Sequence, residues 1–109
     1  MQKFEEMKFN IGELKGISAK NVEEHLKLYS GYVKNANSNV EKISSLSEGM
    51  FKNGEDNGYL IAELFRRFSF EYNGMRNHEI YFSSLSDGPK AINPESELAK
   101  KITADCMSV

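Results

Sequence analysis

The chain has 109 residues, 39% of them hydrophobic and 28% charged, an ordinary globular mix that argues against global disorder and fits one domain or part of one. Its 14 Lys+Arg against 16 Asp+Glu leave a formal charge of -2, without the cationic surplus that binds nucleic acid through bulk charge. The single cysteine, Cys106, excludes an intrachain disulfide framework and a cysteine-rich metal cluster.

Met1–Glu6 has no apolar signal core, so a reducing, cytoplasmic setting is expected. Residues 1–17 show no clean periodicity, carry Gly12 and Gly16, and read as an extended arm. Ser18 is a good helix N-cap, because its hydroxyl can accept an orphan backbone N–H. After it Val22, Leu26, Tyr29, Val33, Ala36, Val40 and Ile43 recur at alternating spacings of four and three. That spacing keeps one apolar stripe on one helix face and predicts a first helix over 19–46. Residues 44–58, with Ser47-Glu48-Gly49 and Asn53-Gly54, read as a connection. Ile61, Phe65, Phe68, Tyr72, Met75 and Phe82 form a second stripe, interrupted where the next slot is Glu79, and predict a helix over 57–83. The longest apolar run, Tyr59-Leu60-Ile61-Ala62, is far short of a membrane span, so no membrane partner is expected. Asp87-Gly88-Pro89 marks a loop over 84–93, and Asn93-Pro94 reads as the capped start of a third helix over 94–104. Residues 105–109 read as a tail without an assigned structure. No heptad coiled coil, internal repeat or strand-rich region is visible. The expected fold is all-α: a long antiparallel helical hairpin over 18–104 that includes a short third helix.

The two histidines, His25 and His78, each fall near the middle of a long predicted helix, a rigid place for a metal ligand. His25, Tyr29 and Tyr32 share one face, with Tyr32 within about 20° of His25 after two turns. Antiparallel pairing could bring both imidazoles to one point; the bland alternative is two unrelated surface or core histidines. Glu24 and Glu79 adjoin the histidines, but i,i+1 neighbours face apart, so they are expected to be solvated. Gly31 and Gly74 inside the helices imply either a tight crossing or room for another group. Arg66-Arg67 reads as a solvated face rather than a nucleic-acid patch.

These segments resemble the N-terminal half of iron/manganese superoxide dismutases. The resemblance rests on Gly16-Ile17-Ser18-Ala19-Lys20-Asn21-Val22-Glu23-Glu24-His25, on Gly31-Tyr32-Val33-Lys34-Asn35-Ala36-Asn37, and on Asn73-Gly74-Met75-Arg76-Asn77-His78-Glu79-Ile80-Tyr81-Phe82. It runs over residues 9–103, and Leu98–Ile102 looks like the family's next short helix. It implies His25 and His78 as two metal ligands, Tyr32 as the hydroxyl that positions substrate and solvent, and iron or manganese as cofactor. The activity it implies is dismutation of superoxide to oxygen and hydrogen peroxide by a redox-cycling metal. The spacing from ligand to Tyr-Val is one residue shorter than in most of the family, and Tyr29 stands about where a further histidine is usual. The family's Asp-x-x-x-His segment, in an α/β C-terminal domain, has no counterpart in these residues. The expected partners are therefore a separate C-terminal half or a second copy, with little activity from the chain alone. The competing expectation is a non-catalytic helical hairpin that dimerises or binds a protein partner.

Overall fold

Ser18 opens the first helix as the sequence predicts. The structure is a computed structural model that describes residues 3–88 and 90–107. The Ser18 hydroxyl accepts the Asn21 N–H at 3.1 Å, and helix α1 runs Ala19–Asn53. It continues past the predicted end at Leu46, because Ser47-Glu48-Gly49 stays helical and Lys52 pairs with Glu48 one turn away. The helix stops at Gly54, whose φ of 67° suits a residue without a Cβ and whose N–H reaches Met50 O at 3.1 Å. The connection therefore shrinks to residues 54–57. Glu55 folds back over Gly49, where a Cβ would overlap its carboxylate.

Helix α2 runs Gly58–Leu85. Helix α3 runs Glu97–Cys106, starting later than Pro94 and ending later than Ala104. Asn93 does not cap it. Its side-chain oxygen accepts the Glu95 N–H at 3.0 Å in a local turn, and Ser96 provides the cap by accepting the Ala99 N–H at 3.2 Å. Pro89 of the predicted loop and residues 108–109 of the tail lie outside the described residues. Three helices and no strand make the described chain all-α, and no helix in it is long and apolar enough to cross a membrane.

Helices α1 and α2 pack as the antiparallel hairpin. On α1 the shielded seam is Val22, His25, Tyr29, Tyr32, Ala36, Asn39, Ile43 and Leu46; on α2 it is Ile61, Leu64, Phe68, Glu71, Met75, His78, Phe82 and Leu85. Both series alternate three and four residues throughout, so a heptad is present after all. It is hidden from an apolar-only reading because His25, Asn39, Glu71 and His78 occupy its slots. The predicted α2 stripe is shifted accordingly. Phe65 and Tyr72 are exposed, while Leu64 and Glu71 take their places. Glu71 can be buried because Arg67 bonds its carboxylate at 3.0 Å. The amide nitrogen of buried Asn39 has no partner.

The N-terminal arm is extended, as predicted, and it is docked on the hairpin. The Asn37 amide accepts the Phe4 N–H and donates to the Phe4 carbonyl, both at 2.8 Å. Phe9 lies 5.3 Å from Phe82 and 6.0 Å from Tyr29 between ring centroids, and the Asp87 N–H donates to Asn10 O at 2.8 Å. Phe4, Phe9 and Ile11 thus cover a small core of Tyr29, Val33, Met75 and Phe82. Helix α3 packs against neither long helix among the described residues. The radius of gyration is 20.8 Å, against about 13 Å for a compact chain of this length, so much apolar surface stays uncovered.

Candidate metal centre

The heptad brings the two histidines together. His25 and His78, 53 positions apart in sequence, face each other across the seam with ring centroids 5.8 Å apart. Each is half-buried. The His78 Nδ1–H donates to the Gly74 carbonyl one turn earlier at 2.7 Å. A carbonyl can only accept, so the bond fixes the hydrogen on Nδ1 of the neutral ring and leaves the Nε2 lone pair free for a ligand.

Tyr32 joins them. Its ring lies 5.3 Å from that of His78 and 6.0 Å from Phe70. Gly74 makes this possible, since a Cβ there would overlap the Tyr32 ring. The tight crossing and the room for another group are therefore one feature at Gly74. Gly31 has no such explanation: a Cβ there meets nothing within 4 Å. Tyr81 lies 6.0 Å from His25, and Phe82 lies 5.9 Å from His78. The histidines are thus walled by aromatic rings on the hairpin itself.

The two neighbouring glutamates part ways. Glu24 is exposed and holds Lys27 at 3.0 Å, as expected. Glu79 is not solvated: it is 5% exposed, accepts the Tyr29 hydroxyl at 2.6 Å and pairs with Arg76. Tyr29 in turn accepts the Met7 N–H at 2.9 Å. Burial, reinforced by the bond to Glu79, pushes the Tyr29 hydroxyl up from 10.0 to about 12. Sequence reasoning treated Glu79 as a gap in the apolar stripe. The gap itself was the signal, since a buried charge beside the seam needs a partner, and Tyr29 supplies one. Arg66 is engaged by Glu63 at 2.8 Å, and Arg67 stands over Phe70 at 4.6 Å.

As a donor set, two imidazoles fit a metal as part of a site. Structural sites use four ligands and open catalytic sites three. Among the described residues no group of three or more His, Cys, Asp or Glu comes together, and Glu79 is committed elsewhere.

Over 93 residues the chain is 34% identical to an Fe superoxide dismutase of Aquifex aeolicus (strain VF5), and to the same extent to one of Aquifex pyrophilus. The match covers 84% of this chain and 43% of each relative, so the chain spans less than half the length of the curated relatives it matches. No protein-family model and no solved structure matches it.

Proposed function

We propose that the chain is the helical half of an iron/manganese superoxide dismutase, corresponding to the N-terminal domain of that family, and that it supplies His25 and His78 as two of the metal ligands. One observation carries this reading: the two motifs far apart in sequence converge, with the imidazoles 5.8 Å apart and Tyr32 beside them. The similarity to two Fe superoxide dismutases supports it independently. Residues 18–106 then hold the hairpin and the short third helix, which runs past the expected boundary at Ala104, and residues 3–17 are its docked arm.

When bound, iron or manganese supplies one-electron chemistry that oxidises one superoxide to oxygen and reduces another to hydrogen peroxide. The chain's own residues do the rest. His25 and His78 would hold the metal through ring nitrogens, His78 through the Nε2 that its bond to Gly74 leaves free. Tyr32, whose ring lies beside that of His78, would orient the small anionic substrate through its hydroxyl. Two imidazoles bring no negative charge, so the trivalent state needs a carboxylate from elsewhere. Another segment, in a C-terminal half or a second copy, completes the site, and the hairpin alone binds metal weakly and turns over little. A reducing cytoplasm suits a chain whose cysteine is an exposed free thiol.

Elemental analysis of untagged protein loaded with iron or manganese tests this. Metal should be well below one per chain for the hairpin alone. It should approach one when a polypeptide bearing an Asp-x-x-x-His segment is co-produced, and His25→Ala should block that rise. Equal metal and equal dismutation in His25→Ala and wild type would sink the reading.

The exposed side chains of Phe51, Tyr59, Phe65, Phe70 and Ile80 favour a second reading, a non-catalytic hairpin that associates through them. A tight, metal-free oligomer in sedimentation would support it, and a monomer would count against it.

A further inference from the structure

Heptad packing alone does not lock two helices in register, because apolar contact is non-directional and repeats every seven residues. A slip of one turn would move one histidine about 5.4 Å along the seam and part the pair. The four-residue connection ties the helices at the hairpin tip, and the histidines lie several turns away from it, where a directional contact would fix the local register. Among the described residues one side-chain hydrogen bond joins α1 to α2, from the Tyr29 hydroxyl to Glu79 Oε2 at 2.6 Å. It lies where the histidines lie: Tyr29 is one turn after His25, and Glu79 directly follows His78. Both ends are held in turn. Tyr29 is 1% exposed and accepts the Met7 N–H from the arm, and Glu79 is paired with Arg76.

We propose that Tyr29 and Glu79 are positioning residues, a buried cross-link that sets the register of α1 against α2 and so keeps His25 and His78 close enough to share one metal. This rests on the reading of the two histidines as ligands. The pair touches neither metal nor substrate; it acts through the backbone that carries the imidazoles. The arm belongs to the device, since Met7 saturates the oxygen that makes the link. Buried polar groups that fix register are the best-attested use of such pairs in helical seams.

The test uses the full chain with Cys106→Ser, to remove the exposed thiol, and Cu(II) as probe. Calorimetry gives the affinity, and electron paramagnetic resonance counts the imidazole nitrogens on copper. The reference chain should show two nitrogens. Tyr29→Phe should shift the spectrum to one nitrogen and weaken binding about 10-fold, the usual range for loss of a ligand-orienting partner. Glu79→Gln, whose amide oxygen can still accept from Tyr29, should keep the two-nitrogen spectrum, while Glu79→Asp, too short to reach, should lose it. A two-nitrogen spectrum and unchanged affinity in folded Tyr29→Phe would overturn the proposal. If Tyr29→Phe loses helicity by circular dichroism, Glu79→Asp decides in its place, and reference-like binding there overturns the proposal as well. His25→Ala separates the two levels. Loss of the two-nitrogen spectrum in His25→Ala upholds the ligand reading whatever Tyr29 does; its persistence overturns that reading and the proposal together.

Discussion

Under the arm, Tyr29, Val33, Met75 and Phe82 are shielded by Phe4, Phe9 and Ile11, while on the neighbouring flank of the same seam His25, Tyr32 and His78 stay half-buried beside exposed Phe70 and Tyr81. The same heptad serves both flanks, so the difference comes from the cover. Where the arm excludes water, a carboxylate can be buried only with partners, and Glu79 has a hydroxyl and a guanidinium. Where nothing covers the seam, the ring nitrogens remain reachable. Stability is therefore concentrated on one flank and available chemistry on the other.

Four measurements would break or sharpen that contrast. The largest effect should come from the covered flank. Phe82→Ala removes a side chain that is 0% exposed and should cost about 3–5 kcal/mol in urea unfolding. His25→Ala on the open flank should cost about 1 kcal/mol or less. Similar losses for the two would erase the distinction.

Tyr29→Phe should cost about 1–3 kcal/mol, because it leaves the buried Glu79 oxygen and the Met7 N–H without their partner. Its pH signature is specific. The folded chain holds the Tyr29 proton up to about pH 12, while the unfolded chain releases it near 10.0. This contribution is complete below the lower value and is lost as pH climbs through the upper one. Wild type should therefore lose about 2 kcal/mol between those values that Tyr29→Phe does not lose. Parallel alkaline profiles would show that Tyr29 is not protected by burial.

Gly74→Ala sharpens the open flank. Helix propensity gains about 1 kcal/mol, and crowding against the Tyr32 ring costs about 1–3 kcal/mol, so the net is a loss of about 0–2 kcal/mol. The Tyr32 ring should swing away from His78, and the nuclear Overhauser contact between them should vanish. Its persistence would mean that Gly74 does not set the Tyr32 position. The smallest effect belongs to the hairpin tip: Phe51→Ser changes a side chain that is 92% exposed and should alter stability by less than about 0.5 kcal/mol. A larger loss would reveal a contact that covers the tip.

Much of the architecture could be read from local chemistry. Ser18 marks the start of α1 because a hydroxyl before a periodic run captures an orphan N–H. The stripe spacing predicts two long helices, and the positions of His25, Tyr32 and His78 within them predict a shared face. The end of α1 was less legible, because Ser47-Glu48-Gly49 looks like a turn until Glu55 is seen packed over Gly49. The start of α3 was misplaced because Asn93 and Ser96 can each cap, and only the local turn at Asn93 settles which one does.

By itself, then, the sequence determined the helices, their antiparallel order and the candidacy of His25, Tyr32 and His78, because periodicity and capping act within a few residues. Only the tertiary structure decided the register. Glu71 in a heptad slot and Glu79 buried beside one look like faults until Arg67, Tyr29 and Arg76 are in place around them. The 5.8 Å between the histidines is likewise a property of packing, since no local signal along either helix encodes where the other will stop sliding.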